Sequence, residues 1–458
     1  MTKLTLALSA LALAMLFHPA NAAAQASTAA SSAAQQQAAP KAPSAATPAA
    51  TPPAQAAAPQ TVTSYTLPPD LYQKARHLSE IAFWGQIAVF IYSVVILLLI
   101  LRWKLGPKYR DWAEKASSSK FVQGLIFSPL ILASITILTI PGDIVQQWVS
   151  RKFGLSIQGW GSWTWDWTKS LMVTLIIGTI LVTILYAVIR NSPRRWWFYF
   201  WLVSLPIIAA LIFLQPLIID PLFHKFEPLE RKNPALTASL EKLVQRAGEN
   251  IPPERIFWMG AAEKSTQLNA YVTGWGASKR IVVWDTTIAK MTTPQIVFVT
   301  GHEMGHYVLL HIPKEFVLLA LVFLILFYLG YKWAGGMVAR RGTGWSVRGV
   351  DEWASFPALF LLLTILSFVA NPLTNAISRY FEHQADQYGL EITHELTPDS
   401  GQVAAQSFEV LGEVDLADPK PNAVDIFWFY DHPAIPDRIR YCLTYHPWAI
   451  GGQGEFVH

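Results

Sequence analysis

Long apolar runs with short polar stretches between them dominate the pattern of hydrophobic and polar positions along the chain. A helix that crosses the hydrocarbon core of a bilayer needs about 20 apolar residues. A single run of this kind is also compatible with a buried helix of a soluble domain, but several in one chain favour membrane spans. Six runs qualify, the last with an extension at both ends: Ile81–Leu101, Phe121–Ile140, Leu171–Ile189, Trp197–Ile219, Phe316–Trp333 and Phe356–Ala370.

Two different patterns precede the first run. Residues 1–22 combine a basic start at Lys3, a short apolar core and the small-residue pattern Ala20-Asn21-Ala22, which together predict a secretory signal peptide. Residues 23–66 are rich in Ala, Pro, Gln and Ser and almost free of charge. Such a segment buries too little apolar area to offset the entropy cost of ordering, so we predict a disordered tether.

Two polar regions interrupt the apolar pattern and carry the signals of a small α+β domain. The chain divides into four spans over residues 67–222, a polar region over 223–314, two spans over 315–377 and a C-terminal polar region over 378–458. Hydroxyl residues and a proline at Thr292, Thr293 and Pro294 predict the start of a helix that runs to about His311. Before it we predict one helix and three strands: Pro234–Gly248, Arg255–Trp258, Asn269–Thr273 and Arg280–Trp284.

The composition supports a polytopic membrane protein of the mainly α class. Hydrophobic residues make up 52% of the chain and charged residues only 14%, whereas a soluble domain carries about 25% charged residues. The 19 Trp suit the interfaces of a bilayer. The net charge of +4 is spread over short clusters and indicates no nucleic-acid partner. Cys442 is the single cysteine, which excludes an intramolecular disulfide, and we interpret it as structural.

The distribution of Lys and Arg predicts the orientation of the spans, because loops rich in these residues stay in the cytoplasm. If the spans alternate, three basic loops share one side and the two polar regions share the other. We therefore predict a bacterial inner-membrane protein whose polar regions are periplasmic. The basic residues are Arg102, Lys104, Lys108, Arg110, Lys115 and Lys120 after the first span, Arg190, Arg194 and Arg195 after the third, and Lys332, Arg340, Arg341 and Arg348 after the fifth.

The predicted helix before the fifth span contains the motif His302-Glu303-Met304-Gly305-His306. Two histidines four residues apart project from one face of a helix and can bind one Zn²⁺. Glu303 is adjacent to the first histidine and can act as general base without binding the metal. The alternative is two exposed histidines on an amphipathic helix, but this helix is otherwise apolar, and burying these groups is costly unless a metal or partners satisfy them.

A catalytic zinc needs a third protein ligand. The metzincin pattern would place Gly at position 309 and His at 312, where this chain has Leu309 and Ile312. His311 falls one residue short of that position, and we interpret it as a packing or surface residue. A Glu on a later helix is the other known solution, and Glu382 offers it with Asp386 one turn further on to orient a zinc-bound histidine. His383 points away from Glu382 and is not predicted as a ligand.

These motifs resemble, in order, those of the integral-membrane CAAX prenyl protease type 1 family of zinc peptidases. The resemblance covers roughly residues 67–447. It includes HEMGH, the stretch from Ser378 to Asp386 that reads SRYFEHQAD, the stretch from Ile219 to Leu229, the entry to the first span at Tyr72 to Arg76, Asn269-Ala270-Tyr271, and His432-Pro433 followed by Arg438.

The resemblance implies a helical membrane barrel of six or seven transmembrane helices around a chamber, with one zinc ion per chain on its inner wall. It implies that His302, His306 and Glu382 bind zinc and that Glu303 activates water. The strand of Asn269, Ala270 and Tyr271 would hold the substrate backbone, and His432 and Arg438 would stabilise the tetrahedral intermediate. On the residues alone, Asn269 is equally compatible with a turn and His432 with a helix cap.

Two features depart from the family. It usually has a seventh helix in the place where this chain has the signal-like segment and the tether, so that helix is either an uncleaved signal or missing. Eukaryotic members act on prenylated CAAX precursors at the cytosolic face, whereas the predicted orientation here is outward. General endoproteolysis of membrane or misfolded envelope proteins is therefore the expected activity.

The sequence thus predicts a membrane-embedded zinc metalloendopeptidase that acts on a peptide or protein substrate. An intramembrane protease is one rival, but the motif precedes the fifth span instead of lying inside it. The other rival is a non-catalytic transporter or a scaffold with a structural zinc. A transporter should carry ionisable residues in the middle of its spans, and the six apolar runs are almost free of them.

Overall fold

The computed structural model describes residues 61–274 and 278–457. The predicted signal peptide and all but the last six residues of the predicted tether lie outside these ranges. The fold is mostly helical with one small sheet. In chain order the elements are α1 (Pro69–Arg102), α2 (Leu105–Ala116), α3 (Lys120–Phe153), α4 (Trp160–Asn191), α5 (Trp196–Leu214), β1 (Phe226–Pro228), α6 (Pro234–Arg246), β2 (Ile256–Met259), β3 (Ala270–Thr273), β4 (Arg280–Trp284), α7 (Asp285–Lys290), α8 (Thr293–Val308), α9 (His311–Trp345), α10 (Phe356–Thr393), α11 (Ser400–Asp415), α12 (Ala423–Phe429) and α13 (Ile435–Thr444).

Six helices in the described ranges are long and apolar enough to cross a membrane, which confirms the six predicted spans. They are α1, α3, α4, α5 with its continuation to Phe223, α9, and α10 with the turn that precedes it from Trp353. Each helix is longer than its apolar run, because its polar ends can continue beyond the hydrocarbon core of the bilayer. Arg340 and Arg341 therefore lie on the last turns of α9 instead of in a loop.

The sheet has the strand order β1-β2-β4-β3. Strand β2 runs parallel to β4, and β3 pairs antiparallel with β4, with Ala270 opposite Val283. The three predicted strands are present, whereas β1 was not predicted because it is only three residues long and contains Pro228. Strand β3 lies at the edge of the sheet, and Ala270 and Val272 share a hydrophobic core with Met304 of α8.

Helix α8 begins at a capping box, in which the Thr292 N–H donates to the Gln295 side chain at 2.8 Å. It ends at Val308, and α9 begins at His311 after the exposed Leu310, whose φ of 57° is left-handed. The prediction of one helix running to about His311 therefore missed this break. A leucine in this conformation is strained, so the sequence carries no local signal for it.

Three glycines allow α8 and α10 to cross at close range. A Cβ on Gly305 would lie 3.0 Å from the side chain of Tyr388, and one on Gly301 would lie 3.0 Å from Ile392. From the other side, a Cβ on Gly389 would lie 3.2 Å from the backbone N of His302. The crossing therefore brings the HEMGH motif directly against the last turns of α10.

The segment before α1 packs on the C-terminal part of the chain. The side-chain amide of Gln402 accepts from the N–H of Val62 and donates to its C=O, both at 3.0 Å. Tyr65 is buried, lies against Gly412, and donates its hydroxyl to the C=O of Ala417 at 3.0 Å. The packed structure thus begins several residues before the predicted boundary at 67, because these two side chains find apolar and hydrogen-bonding partners that are distant in sequence.

Candidate active site

The crossing of α8 and α10 brings together the three predicted metal ligands. The Nε2 atoms of His302 and His306 are 3.2 Å apart. Glu382 places one carboxylate oxygen 3.3 Å from Nε2 of His302 and the other 3.6 Å from Nε2 of His306. All three side chains are buried. In the described part of the chain, this is the one group of three or more His, Cys, Asp or Glu side chains close enough to share a metal ion.

The spacing of these donor atoms suits zinc. Four donors at zinc's usual distance of about 2.0–2.1 Å in a tetrahedron are roughly 3.3 Å apart, which is close to the separations found here. Glu382 is 1% exposed, and neither of its oxygens has a well-formed hydrogen bond within the described residues. Both oxygens face histidine nitrogens at distances typical of neighbouring ligands, so the donor set fits a metal.

The outer nitrogen of His302 has a carboxylate partner. Nδ1 of His302 lies 2.9 Å from Asp386, as predicted for the residue one turn after Glu382. Asp386 is itself held by the guanidinium of Arg438 through two bonds of 2.9 and 2.5 Å. Burial alone would lower the pKa of His302, but Asp386 and Glu382 outweigh this effect and raise that pKa.

The environment of His306 differs from that of His302. Burial lowers its pKa well below the usual range, which keeps the imidazole in the neutral form that binds metals. Its Nδ1 lies 3.0 Å from Nδ1 of His311. His311 is 0% exposed and packs on the ring of Phe381. The sequence interpretation of His311 is therefore right for packing and wrong for a surface contact, and it missed the hydrogen bond because the break at Leu310 was not foreseen.

Glu303 is half-buried, unlike the two buried histidines of its motif. It follows His302 on α8 and therefore points about 100° away from that ring around the helix. Glu303 is not among the three grouped side chains of the described residues, and its partial exposure leaves it accessible to water.

His432 lies next to Glu382 of the ligand cluster. Its Nε2 is 3.1 Å from Glu382, its Nδ1 is 2.8 Å from Asp431, and its side chain is 27% exposed. Burial opposes the protonated form, but the two carboxylates outweigh it and raise the pKa of His432 to about 10. The raised pKa favours the protonated form of His432, in which both ring nitrogens can donate hydrogen bonds.

Side chains of α10 hold the segment that carries His432. Arg379 donates to the C=O of Ile426 at 3.0 Å and to that of Tyr430. Asn371 and Asn375 both donate to the C=O of Trp428, at 2.7 and 2.8 Å. The sequence analysis missed this role, although these residues recur every four positions on the helix that carries Glu382.

Arg438 lies against the two carboxylates of α10. It was predicted to stabilise the tetrahedral intermediate, but its guanidinium is bonded to Asp386, lies 3.5 Å from Glu382 and covers the ring of Phe408. It is only 8% exposed. These contacts link Arg438 to Asp386, to Glu382 and, at 3.4 Å, to Nδ1 of His302.

The predicted substrate strand lies on β3, which packs against α8. The backbone of Asn269 is engaged: its N–H donates to Thr287 at 2.7 Å and its C=O accepts from the N–H of Trp284 at 3.0 Å. The side chain of Asn269 is half-buried and that of Ala270 is buried. The hydroxyl of Tyr271 lies 3.4 Å from Asp220, on the other face of the sheet. Strand β3 therefore lies against α8, whereas the Tyr271 side chain lies on the face of the sheet away from α8.

Two residues that were not predicted as ligands lie outside the cluster. His383 packs against the ring of Tyr441, with 4.3 Å between the ring centres and an angle of 56° between the ring planes. Cys442 is fully buried in a hydrophobic core, and burial raises the pKa of its thiol well above the usual range. A thiol in that environment is not a nucleophile.

The fold and the cluster together define a membrane-embedded metalloprotease, and three comparisons agree with this class. The model of Peptidase family M48 matches residues 230–445, and that of the CAAX prenyl protease N-terminal region with five membrane helices matches residues 53–225. An uncharacterized metalloprotease of Bacillus subtilis, YhfN, is 33% identical over 84% of this chain and 90% of its own length.

Two further proteins resemble the chain over most of its length. CAAX prenyl protease 1 of Saccharomyces cerevisiae is 26% identical over 83% of this chain and 89% of its own length. The crystal structure of S. mikatae Ste24p matches with a TM-score of 0.71 at 25% identity, and the match covers 83% of this chain and 90% of that one. The chain belongs to peptidase family M48, in its integral-membrane CAAX prenyl protease branch. It is therefore an integral membrane enzyme with a peptide or protein substrate and a metal.

Proposed function

We propose that the protein is a zinc metalloendopeptidase with one zinc per chain, held by His302, His306 and Glu382, and with Glu303 as general base. The observation that carries this proposal is the cluster of three buried donors with separations that match zinc, next to a half-buried glutamate. Bound zinc would supply a Lewis acid that polarises the scissile carbonyl and makes water more acidic.

The protein groups would perform the remaining steps. Glu303 accepts a proton from the attacking water and later returns it to the leaving amine. His432 is cationic and partly exposed, so it donates a hydrogen bond to the oxygen on which negative charge develops. Arg438 and Asp386 act one step further away, by fixing the ring of His302.

The substrate backbone would bind along β3. Edge strands carry unpaired N–H and C=O groups, so an extended peptide can add to them with little demand on its sequence. Strand β3 pairs with β4 on one side and is the last strand in the order of the described sheet. This mode of binding suits general endoproteolysis of membrane or misfolded envelope proteins. The distribution of Lys and Arg in the loops supports a catalytic region on the periplasmic side of a bacterial inner membrane.

A scaffold with a structural zinc is the alternative. Structural zinc sites are closed by four protein ligands, whereas three residues are grouped here within the described ranges. The half-buried Glu303 would have no purpose in a closed site. An intramembrane protease is disfavoured because the motif lies on α8, a helix of 16 residues that is not among the six candidate spans.

The test is the substitution Glu303→Gln in the full-length protein. We expect peptide cleavage to fall by at least about 10³-fold, because the general base is lost, while the zinc content stays at one per chain. Glu413→Gln, at a glutamate of α11 outside the ligand cluster, is the matched control and should cleave normally. Full activity of the Glu303→Gln protein would refute the mechanism, and an unsubstituted protein without zinc would refute the metal assignment.

A further inference from the structure

His306 and His311 form an imidazole pair at the junction of α8 and α9. Their Nδ1 atoms are 3.0 Å apart, and their ring planes are tilted by 72° with centres 5.1 Å apart. His311 is fully buried, with its ring 4.8 Å from that of Phe381 on α10. The pair is therefore enclosed between α8, α9 and α10.

The geometry fixes which nitrogen of His306 faces the ligand cluster. Nε2 is the atom close to both His302 and Glu382, so Nδ1 is its outer nitrogen. A neutral imidazole that offers the Nε2 lone pair to a metal carries its proton on Nδ1. That N–H needs an acceptor in a buried place, and Nδ1 of His311 is at hydrogen-bond distance. His302 has Asp386 in the corresponding position.

The backbone between the two helices is arranged to make this pair possible. In one continuous helix, residues five apart point about 140° away from each other, so His311 could not face His306. The left-handed Leu310 breaks the helix and turns His311 back toward it. Leu310 is 56% exposed, so local burial does not compensate its strain. Strained backbone of this kind is common at functional sites.

We propose that His311 is a positioning residue for the metal centre. It accepts a hydrogen bond from Nδ1–H of His306 and thereby fixes the tautomer and the ring orientation with which His306 binds zinc. The inference rests on the proposed zinc site and adds to it a partner for the second histidine. An imidazole here, where His302 has a carboxylate, leaves no additional negative charge next to His306.

Two substitutions at the same position separate this role from packing. His311→Phe keeps an aromatic ring against Phe381 but has no acceptor. His311→Asn loses the ring but can accept through Oδ1, which occupies a position similar to that of Nδ1. Zn²⁺ affinity would be measured on the full-length, monodisperse protein by competition with a chelator of known affinity, and the zinc release rate by a metal-sensitive dye.

We expect His311→Phe to weaken zinc binding by about 10–100-fold and to speed its release, as for other groups that orient metal-bound histidines. His311→Asn should stay within about threefold of the unsubstituted protein, since the hydrogen bond is kept. The reverse order, equal losses in both variants, or an unchanged affinity in His311→Phe would overturn the inference. The unsubstituted protein and Glu303→Gln are measured in parallel and test the proposed zinc peptidase. A failure of that proposal can therefore be distinguished from a failure of the inference about His311.

Discussion

At the scale of single residues, charge balance explains why so many ionisable groups are buried together. Glu382 and Asp386 are each 1% exposed. Asp386 is bonded to Arg438, and Glu382 lies near three imidazoles and 3.5 Å from the same guanidinium. A buried ion pair is costly to break on one side only. Each substitution in this group therefore affects the position of the ligands as well as a local contact.

The substitution Asp386→Asn tests this dependence. It removes the charge that faces both Arg438 and the outer nitrogen of His302. We expect zinc affinity to fall by about 10–100-fold, measured by chelator competition. Asp437→Asn is the control, because Asp437 pairs with Arg440 on the surface, where the two side chains are 54% and 72% exposed. An Asp386→Asn protein that retained the affinity of the control would contradict the orienting role.

At the scale of elements, the site depends on how closely α8 and α10 approach each other. Gly301, Gly305 and Gly389 leave no room for a side chain at the crossing. Each glycine destabilises its helix by about 0.5–1 kcal/mol relative to Ala. The helices tolerate that cost because the close approach places Glu382 next to the two histidines.

The substitution Gly389→Ala should move the ligands apart. Its Cβ would meet the backbone of His302 at 3.2 Å, and backbone cannot rotate away as a side chain can. We expect zinc affinity to fall by roughly tenfold or more, together with a lower thermal midpoint. Gly330→Ala on α9 is the matched control, since nothing lies within 4 Å of its Cβ. There we expect an unchanged affinity and about 0.5–1 kcal/mol of added stability. Equal behaviour of the two variants would refute the explanation.

A second prediction at this scale concerns the segment that carries His432. Arg379→Met removes two hydrogen bonds to carbonyls of that segment without touching a metal ligand. We expect kcat to fall by about 10–100-fold, because His432 loses its fixed position, while zinc content stays the same. Arg440→Met changes an exposed arginine and should have no effect. Loss of zinc in Arg379→Met would show that the residue supports the ligands themselves.

The sequence was sufficient for the parts of the molecule that follow local rules. Apolar runs predicted all six spans, and the four-residue spacing of HEMGH together with Glu382 predicted the cluster. The sequence could not predict contacts that depend on strained or distant backbone. The left-handed Leu310 contradicts its own propensity, and the pairing of Arg438 with Asp386 depends on how α13 docks.

At the scale of the whole molecule, the orientation in the bilayer remains a prediction from the basic residues. It is testable because the native thiol, Cys442, is fully buried. Gln453→Cys and Ser118→Cys place exposed thiols in the C-terminal segment and between α2 and α3. We expect a membrane-impermeant maleimide to label Gln453→Cys in intact spheroplasts, and Ser118→Cys only after lysis. The opposite pattern would place the catalytic region in the cytoplasm.

The wide separation of the contacting residues along the chain has a consequence for biosynthesis. Val62 is fixed by a residue 340 positions later, and Arg438 meets His302 across 136 positions. A chain that grows from its N-terminus therefore exposes HEMGH to the membrane before Glu382, Asp386 and Arg438 exist. On the proposed ligand set, a nascent chain or a product of premature termination that ends before Glu382 lacks the third ligand, so we expect it to be proteolytically inert.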